Sequence, residues 1–266
     1  MQDGYYLVEL NKVFRQKDEV FIDVLANLRE GNNLAESLAI LNSRCTITDT
    51  PPKGAVWLCP RNAEVDMHNT RELHKIHEPA CRYTGSLYGT FKQKNLPAPF
   101  ELVLKVGAQV MFTQNDPNKE WVNGTIGTVV RLEEPDNYSS GTIEVMLENG
   151  DEVCVKPARW ADCKYEWDEK LKQIVRTETG RYTQFPLMLA WAITIHKSQG
   201  QTLEKVHIDL GAGAFEVGQT YVAISRCRSI EGLSLSRPLV EGDIIVDRDV
   251  VTFYNGLREE LGDNDV

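Results

Sequence analysis

The pattern of apolar residues changes character twice along this chain, and both changes constrain the fold. Up to about residue 105, helix-period and strand-like segments alternate, as in α/β domains. From about Val106 to Arg181, short strand-like runs are separated by turn residues, and no helical period occurs before Asp162. The alternation of helix and strand returns at Gln184. The sequence therefore predicts an α/β domain that is interrupted by a small all-β insert.

The first α/β part contains clear boundary signals. Asp18 is a suitable N-cap for a helix over Glu19–Arg29, and Gly31 is a suitable stop. Ala55–Cys59 is a short apolar run typical of a buried strand, and a helix is predicted from about Arg61 to Ile76. A strand, a tight loop and a helix in this order predict a parallel sheet with both faces covered.

The insert is predicted to be a small SH3-like barrel. The dipeptide Asn149-Gly150 is a strong hairpin signal and predicts a type I′ turn, because both residues tolerate a positive φ. Trp121 is predicted to be an exposed candidate for stacking on nucleobases. The strand-like runs are Gln109–Phe112, Ile126–Leu132, Thr142–Leu147 and Glu152–Val155.

The last part resumes the α/β pattern. It contains a predicted strand, a helix, a second strand and a short terminal helix, at Lys205–Leu210, Val217–Arg226, Leu233–Leu235 and about Val251–Leu261. The predicted division is therefore 1–105 and 184–266 for the α/β domain, whose tail is acidic, and 106–183 for the insert.

The charge is distributed unevenly. The chain has a formal net charge of −10, which by itself argues against a nucleic-acid partner. The excess of acidic residues, however, lies within 107–180 and 241–266. The stretch 181–240 has six basic and four acidic residues. A local groove that follows phosphates is therefore compatible with the composition.

The sequence gives no sign of a membrane span or of a metal site. No run of about 18 apolar residues occurs, and the N-terminus resembles no signal peptide. The six cysteines include no C-x-x-C pair, which favours reduced thiols and a cytoplasmic protein, or a nuclear or mitochondrial one in a eukaryote. His74 and His77 lack further metal ligands nearby, so we expect no metal site.

Two segments near the C-terminal end carry side chains suited to phosphate. The segment Thr194–Thr202 reads TIHKSQGQT, and its hydroxyl and N–H groups can bind phosphate oxygens while its lysine releases counterions. The segment Gly218–Arg226 reads GQTYVAISR and ends in an arginine, whose planar guanidinium binds phosphate bidentately. A helix-end arginine that complements the macrodipole is the alternative interpretation of Arg226.

A phosphate-binding P-loop is absent from the sequence. No stretch matches Gly-x-x-x-x-Gly-Lys-Ser/Thr, the pattern that supplies N–H groups and a lysine to the phosphates. The stretch Gly85–Thr90 has the wrong spacing and lacks a lysine after its second glycine.

Together the two C-terminal segments resemble motifs V and VI of superfamily 1B DNA helicases, in particular the petite-integration-frequency (Pif) family and its RecD and Dda relatives. Leu10–Gln16 resembles the segment that follows motif III in that family. The stretch from Leu104 to Met111 stands where the family has its SH3-like domain 2B. The resemblance implies that the α/β part is the RecA-like domain 2A and that the chain is the C-terminal half of such a helicase.

The resemblance also assigns roles to residues at an ATP cleft. Arg226 and Arg15 are expected to be catalytic, because the family directs these arginines at the nucleotide phosphates. An exposed basic residue before a helix cap is the alternative for Arg15. The further cleft residues implied are Gln16, Gly200, Gln201 and Gln219.

The expected DNA contacts come from two segments. Thr194, His196, Lys197 and Ser198 match the family segment that lines the single-strand channel. A buried, hydrogen-bonded histidine is the alternative for His196. The other contacts implied are Arg61, Asn62 and Asn69, near the start of a predicted helix; a helix cap without a ligand is an equal alternative for Asn62.

For the intact enzyme, the resemblance implies ATP- and Mg²⁺-dependent 5′-to-3′ movement on single-stranded DNA, unwinding at duplex junctions, and family roles in repair and recombination. ATP and Mg²⁺ would be bound mainly by an N-terminal domain 1A, which with domain 1B is the expected partner, and this chain would hold neither tightly. The alternatives are the motor half of a RecD-type exonuclease subunit or a conjugative relaxase, and an inert DNA-binding module.

Overall fold

A computed structural model describes residues 14–92, 96–136 and 140–261. Its contacts divide the chain into two compact units. The first, here called the α/β unit, comprises Met1–Val65 and Ile193–Val266, and the second, here called the β unit, comprises Asp66–Ala192. Of the predicted segment Leu10–Gln16, only the last three residues lie within the described part.

The helices and strands are numbered in chain order. The chain begins with α1 (Glu19–Glu30), α2 (Leu34–Arg44), β1 (Thr46–Ile47), β2 (Val56–Cys59) and α3 (Asn62–Lys75). It continues with β3 (Cys81–Thr84), β4 (Ser86–Gly89), β5 (Glu101–Leu104), β6 (Gln109–Phe112), β7 (Ile126–Glu133), β8 (Thr142–Leu147) and β9 (Glu152–Val155). The remaining strands and α-helices are β10 (Ala158–Asp168), β11 (Gln173–Gln184), β12 (Leu187–Leu189), β13 (Ala192–Thr194), β14 (Val206–Ile208), α4 (Gln219–Ile224), β15 (Leu233–Leu235) and α5 (Arg248–Leu261). Two short 3-10 helices span Ile230–Gly232 and Glu241–Asp243.

The α/β unit is built on a sheet with the strand order β1-β15-β14-β2-β13. β14 pairs in parallel with both β15 and β2, and β1 pairs in parallel with β15. The predicted parallel arrangement is therefore confirmed for these strands. All residues of β2, β14 and β15 are buried, as expected for parallel strands whose two faces are covered.

Helix α1 follows the boundary signals in the sequence. The side chain of Asp18 accepts a hydrogen bond from the N–H of Phe21 at 3.3 Å, and Gly31 ends the helix with a φ of +74°. The apolar face is buried through Phe21, Val24, Leu25 and Leu28. These predictions are confirmed. By contrast α4 is shorter than predicted, since only Gln219–Ile224 is helical.

An ion pair between the buried Asp243 and the partly exposed Arg237 fixes the segment that follows β15. Both carboxylate oxygens of Asp243 accept hydrogen bonds from the guanidinium of Arg237, each at 2.7 Å. The backbone carbonyl of Asp243 accepts a hydrogen bond from the Thr220 hydroxyl, in the first turn of α4. Burial acts to raise the pKa of Asp243, but Arg237 and the N–H of Val240 outweigh it and leave that pKa below its ordinary value.

Apart from most of α3, the regular structure of the β unit consists of antiparallel strand pairs. One sheet has the order β12-β6-β7-β8-β9, a second has the order β10-β11-β4, and β3 pairs with β5. Strand β8 shows the alternation of a half-buried strand, because Ile143, Val145 and Leu147 are buried while the residues between them are not.

The β unit begins earlier and ends later than the predicted insert of 106–183. Cys81, Tyr83, Leu102 and Leu104, on β3 and β5, are buried in the same core as residues of β6 such as Phe112. The side chain of Gln184 also donates hydrogen bonds to the carbonyls of Tyr83, Pro99 and Phe100. Long-range contacts of this kind attach the segment 81–104 to the β unit.

The hairpin at Asn149-Gly150 is present, but its predicted turn type is wrong. The N–H of Gly150 bonds to the carbonyl of Leu147 at 3.0 Å, and Gly150 has a φ of +90° whereas Asn149 is not among the residues with positive φ. The N–H of Leu147 bonds to the carbonyl of Asp151 at 2.8 Å. This geometry is a type I turn followed by a glycine in the left-handed region, which forms a bulge.

The prediction that Trp121 is exposed is also wrong. Its side chain is 8% exposed, and its ring stacks on that of Phe112 with 4.5 Å between centroids. The indole therefore belongs to the core of the β unit. In the described part of the chain, no helix is long and apolar enough to cross a membrane.

Replacing Asp243 with asparagine should lower the free energy of unfolding by about 1.5–3 kcal/mol at pH 7, because a charge-assisted hydrogen bond is lost. Since the pKa of Asp243 is lowered in the folded state, its contribution is present above the ordinary pKa of 3.8 and is lost as the pH falls through the folded-state pKa. The difference between variant and parent should therefore shrink from pH 7 to pH 3 in urea titrations. Glu241→Gln, an exposed change in the same turn, is the control and should stay within about 0.5 kcal/mol. A deficit that does not depend on pH would contradict this account.

Candidate functional site

Three side chains converge on the turn that follows α4. The carbonyl of Ser225 accepts hydrogen bonds from Arg15 Nη1 at 3.0 Å and from Gln16 Nε2 at 3.1 Å. Gln16 Nε2 also donates to the carbonyl of Cys227 at 2.9 Å, and Arg226 Nη2 donates to the Ser225 hydroxyl at 2.8 Å. The turn therefore brings together two arginines that lie more than 200 positions apart in the sequence.

Arg226 is held against its own helix. Its Nε donates to the carbonyl of Val222 at 2.9 Å, and Nη1 lies 3.5 Å from the carbonyl of Gln201. The residue is only 9% exposed. Burial, and secondly the positive charge of Arg15, hold the pKa of Arg226 below its ordinary value, while Tyr221 acts in the opposite direction.

The two arginines have no acidic partner within residues 14–92, 96–136 and 140–261. Arg226 bonds to carbonyl and hydroxyl oxygens, and Arg15 bonds to the carbonyl of Ser225 and to Thr202 Oγ1, the latter at 2.9 Å. Two uncompensated positive charges beside each other attract an anion, and guanidinium groups bind phosphate oxygens in a planar fork.

A cavity of about 700 Å³ adjoins Arg15. Lys17, Thr202 and Arg228 also line it. Arg228 Nη1 forms an ion pair with Glu204 at 2.6 Å, and Asp18 is bound by Arg44 at 2.9 Å. The positive charge of the cavity wall is therefore provided by Arg15 and Lys17, because Glu204 balances the charge of Arg228.

The segment 195–200 forms consecutive turns after β13. Thr194 Oγ1 accepts a hydrogen bond from the N–H of Lys197 at 3.2 Å, and the Ser198 hydroxyl donates to the carbonyl of Ile195 at 2.7 Å. His196 and Lys197 are exposed, so the alternative of a buried histidine does not hold. Ser198 is 0% exposed, which does not fit the predicted direct contact with DNA; its hydroxyl shapes the turn instead.

Gln201 connects these turns to Arg226. Its Nε2 donates to the carbonyl of Lys197 at 3.1 Å, and its own carbonyl faces Arg226 Nη1. Gly200 has a φ of +82°, and an added Cβ would meet nothing within 4 Å. The glycine is therefore needed for its backbone conformation, which allows the chain to turn from Lys197 back to Gln201.

Gln219 is not brought together with the arginines. It begins α4 while Arg226 follows the end of that helix, a separation of about 10 Å along the axis. Its Oε1 accepts a hydrogen bond from the N–H of Phe215 at 3.0 Å. Phe215 is half exposed, and the guanidinium of Arg61 lies 4.6 Å from the centre of its ring. Gln219 therefore stabilises the loop before α4 rather than the arginine cluster.

The two asparagines of α3 differ in their surroundings. Asn62 is exposed at the first position of the helix. Asn69 is buried, its Nδ2 donates to the carbonyl of Ala192 at 2.9 Å, and its Oδ1 accepts from the N–H of Ala192 at 2.8 Å. Both polar atoms of Asn69 are occupied by backbone, which does not fit the predicted DNA contact. Asn69 instead holds the first residue of β13 in place.

Sequence reasoning missed three residues of the site. Thr202 lies in a segment that had been singled out, and its hydroxyl could have been suspected as a partner of Arg15. Ser225 acts through its backbone carbonyl, for which a sequence gives no signal. Phe215 could be recognised only from the position of Arg61 over its ring, which the sequence does not show.

Similarities to known proteins extend over most of the chain. Residues 87–132 match the family model described as the 2B domain of the DNA helicase Pif1. The ATP-dependent DNA helicase Pif1 of Bdellovibrio bacteriovorus is 36% identical over 258 residues, which cover 94% of this chain and 54% of that protein.

Two solved structures are similar along almost the whole chain. Bacteroides sp Pif1 in complex with ADP-AlF4 has a TM-score of 0.82 at 34% identity, and the match covers 97% of this chain and 58% of that chain. Bacteroides Pif1 bound to ssDNA has a TM-score of 0.71 at 33% identity, with the same coverage. The chain thus spans about half the length of the relatives it matches. It belongs to the Pif1-type DNA helicase family and corresponds to the C-terminal half of such a protein.

Proposed function

We propose that this chain is the C-terminal motor half of an ATP-dependent DNA helicase that moves 5′ to 3′ on single-stranded DNA. In this proposal the α/β unit is the RecA-like domain 2A and the β unit is the SH3-like domain 2B. The ATP-dependent helicases among its relatives, and the Bacteroides proteins solved with ADP-AlF4 and with ssDNA, support the assignment. The partners in the intact protein are domains 1A and 1B, and the substrates are single strands and duplex junctions.

The observation that carries the proposal is the pair of guanidinium groups on the Ser225 turn. Arg15 is close enough to Arg226 for its charge to lower the pKa of Arg226, and neither arginine has an acidic partner in the described part of the chain. A γ-phosphate fits this site, because its oxygens can replace the carbonyl and hydroxyl partners and supply the missing negative charge. ATP and Mg²⁺ would be held mainly by domain 1A, and these arginines would stabilise charge that develops on the phosphate.

The DNA-facing part of the proposal rests on the turns at 195–200. His196 and Lys197 are exposed there, and the carbonyl of Lys197 is bonded to Gln201. Gln201 in turn contacts Arg226. This series of contacts offers a physical route by which phosphate binding at the arginines changes the position of Lys197. Arg61 and Asn62 are proposed as further contacts to the strand.

The motor half of a RecD-type exonuclease subunit or of a conjugative relaxase is a related possibility for the intact protein. An inert DNA-binding module is the alternative from another class, and the absence of a Gly-x-x-x-x-Gly-Lys-Ser/Thr match favours it. For the same reason we propose that the isolated chain does not hydrolyse ATP. The six cysteines are all free, which supports a reducing compartment, either the cytoplasm or a nuclear or mitochondrial location.

In the full-length helicase, Arg226→Ala should lower kcat for ATP hydrolysis by about 10³–10⁵, the effect of removing a transition-state arginine. Nucleotide affinity should change little, because domain 1A supplies most contacts in the ground state. Steady-state ATPase assays and binding of a fluorescent ATP analogue separate the two quantities. Arg29→Ala removes an exposed arginine from the same unit and serves as the matched control. A variant of Arg226 with near-normal kcat would refute the proposed role.

Lys197→Ala should weaken binding of single-stranded DNA equally for all sequences. The loss of one phosphate contact should reduce the slope of log K against log salt by about 0.7. Fluorescence anisotropy with homopolymeric octanucleotides from 50 to 300 mM salt gives the slope, and Lys53→Ala, an exposed lysine elsewhere in the α/β unit, should leave it unchanged. An affinity loss confined to one base composition would show that Lys197 reads bases rather than phosphates.

A further inference from the structure

The β unit contains a cavity that the proposed ATP and DNA contacts do not use. It has a volume of about 660 Å³ and lies among the loop from Gln114 to Trp121, strand β9 and the segment 156–159. We call it the loop cavity. A single water molecule occupies about 30 Å³ of liquid volume, whereas small-ligand sites range from about 300 to 1,000 Å³. The loop cavity therefore has the size of a ligand site.

Two residues that line the loop cavity carry buried polar atoms without hydrogen-bond partners among the described residues. These atoms are Trp121 Nε1 and Gln114 Oε1. Trp121 is 8% exposed, and the stacking of its ring on Phe112 fixes the indole. The indole nitrogen can only donate a hydrogen bond, and the amide oxygen can only accept one. A buried polar atom without a partner is unfavourable, so this pair favours a ligand that offers an acceptor and a donor.

Two exposed cations stand at the rim of the loop cavity. Lys156 and Arg159 line it, and neither forms an ion pair with a carboxylate of the described residues. The acidic residues of the lining are Asp116, Glu120 and Glu152. The carboxylate of Asp116 accepts hydrogen bonds from the N–H groups of Asn118 and Glu120, at 2.7 and 3.3 Å, and so is used within the loop. Glu120 and Glu152 leave the lining as a whole acidic, so the positive charge is confined to Lys156 and Arg159. Two neighbouring cations suit a single phosphate rather than a long polyanion.

We propose that the loop cavity binds one unpaired nucleobase of DNA, with the phosphate next to that base at Lys156 and Arg159. The base presents an acceptor to Trp121 Nε1 and a donor to Gln114 Oε1. Each base of DNA has an edge with an acceptor, and each has a hydrogen-bond donor on a ring nitrogen or an amino group. The proposal rests on the proposed DNA function and adds to it a site that distinguishes bases.

The observations favour a nucleobase over an extended peptide. A peptide unit also offers a donor and an acceptor, and β9 is an edge strand to which a peptide could add. A peptide backbone, however, brings no negative charge to the two cations at the rim. The acidity of 107–180, with 8 basic and 14 acidic residues, also disfavours a long DNA track along this unit, whereas a single base in a cavity remains compatible with it.

The test uses the purified 266-residue chain, labelled with ¹⁵N. Its five tryptophans give five indole N–H signals, and Trp121→Phe identifies the signal of Trp121. The probes are the four deoxynucleoside 5′-monophosphates, thymidine, ribose 5-phosphate and N-acetylglutamine amide. At least one monophosphate should shift the Trp121 signal saturably, and ribose 5-phosphate should not.

Variants then separate the contacts. Gln114→Leu should weaken the response to that monophosphate about tenfold, the effect of one lost hydrogen bond in a buried site. Lys156→Gln should weaken the binding of the monophosphate but leave the response to thymidine unchanged, because thymidine has no phosphate. Lys92→Gln makes the same charge change outside the lining of the cavity and should have no effect. The four other indole signals report whether each variant remains folded.

Anisotropy with octamers of dA, dC and dT distinguishes this proposal from the proposed DNA function. The three affinities should differ by up to about tenfold in the parent chain and converge in Gln114→Leu, whereas Lys197→Ala should lower all three and keep their ratio. If octamers bind through Lys197 but no nucleotide shifts the Trp121 signal, the loop cavity is not a base site and the DNA function stands. If nucleotides shift the signal but Lys197→Ala has no effect on octamer binding, the loop cavity is a base site and the proposed DNA contact of Lys197 is refuted. A shift with N-acetylglutamine amide alone would assign the cavity to a polypeptide and overturn the proposal, as would no shift with any probe.

Discussion

The carbonyl of Ser225 is the constraint on which the candidate site depends. It accepts two hydrogen bonds, from Arg15 and Gln16, which lie before α1 in the chain, whereas Ser225 itself follows α4. These bonds hold two distant parts of the sequence together. Since a carbonyl oxygen has two lone pairs, no acceptor capacity remains for a third donor, and Arg226 bonds to the Ser225 hydroxyl instead. The direction of each arginine is thus set by one short turn.

This arrangement is unfavourable for stability and favourable for binding an anion. Arg226 is almost buried, and in the described residues no carboxylate balances it or Arg15. Elsewhere in the α/β unit, the similarly buried Asp243 is paired with Arg237 through two hydrogen bonds. The contrast within one unit shows that the chain can neutralise a buried charge. An unneutralised pair of guanidinium groups is therefore typical of a functional site whose missing charge is brought by a ligand.

Local sequence patterns were sufficient for the elements whose signals lie within a few residues. The cap of α1 at Asp18, its stop at Gly31 and the parallel strands around β14 were all predicted, because capping, glycine conformation and apolar periodicity are local properties. The extent of the β unit was not predicted by these local patterns. Strands β3 and β5 join its core through pairing with each other and through Gln184, and contacts over such separations leave no local pattern.

The site was predicted unevenly for the same reason. The motif resemblance predicts that Arg15 and Arg226 face an ATP cleft. The structure brings both to one turn, and the role itself stays a prediction. The resemblance could not indicate that Ser198 and Asn69 would be buried and bonded to backbone, because burial is decided by tertiary packing. The turn at Asn149-Gly150 shows a related limit. The dipeptide indicates a hairpin, but only Gly150 adopts a positive φ, and the choice between turn types depends on the register of β8 and β9.

The contacts between Lys197, Gln201 and Arg226 are of a strength that suits a mechanical link. A neutral hydrogen bond contributes about 0.5–1.5 kcal/mol net, and the bond from Gln201 to the carbonyl of Lys197 is of this kind. The contact of Arg226 with the carbonyl of Gln201 is long at 3.5 Å and correspondingly weak. A phosphate bound bidentately by Arg226 competes for the same guanidinium with a stronger, charge-assisted interaction. In the proposed function, phosphate binding can therefore break the contact with Gln201 without disrupting the fold. We expect this weakest contact, rather than the buried core, to set how Arg226 and the turns proposed to face DNA respond to each other.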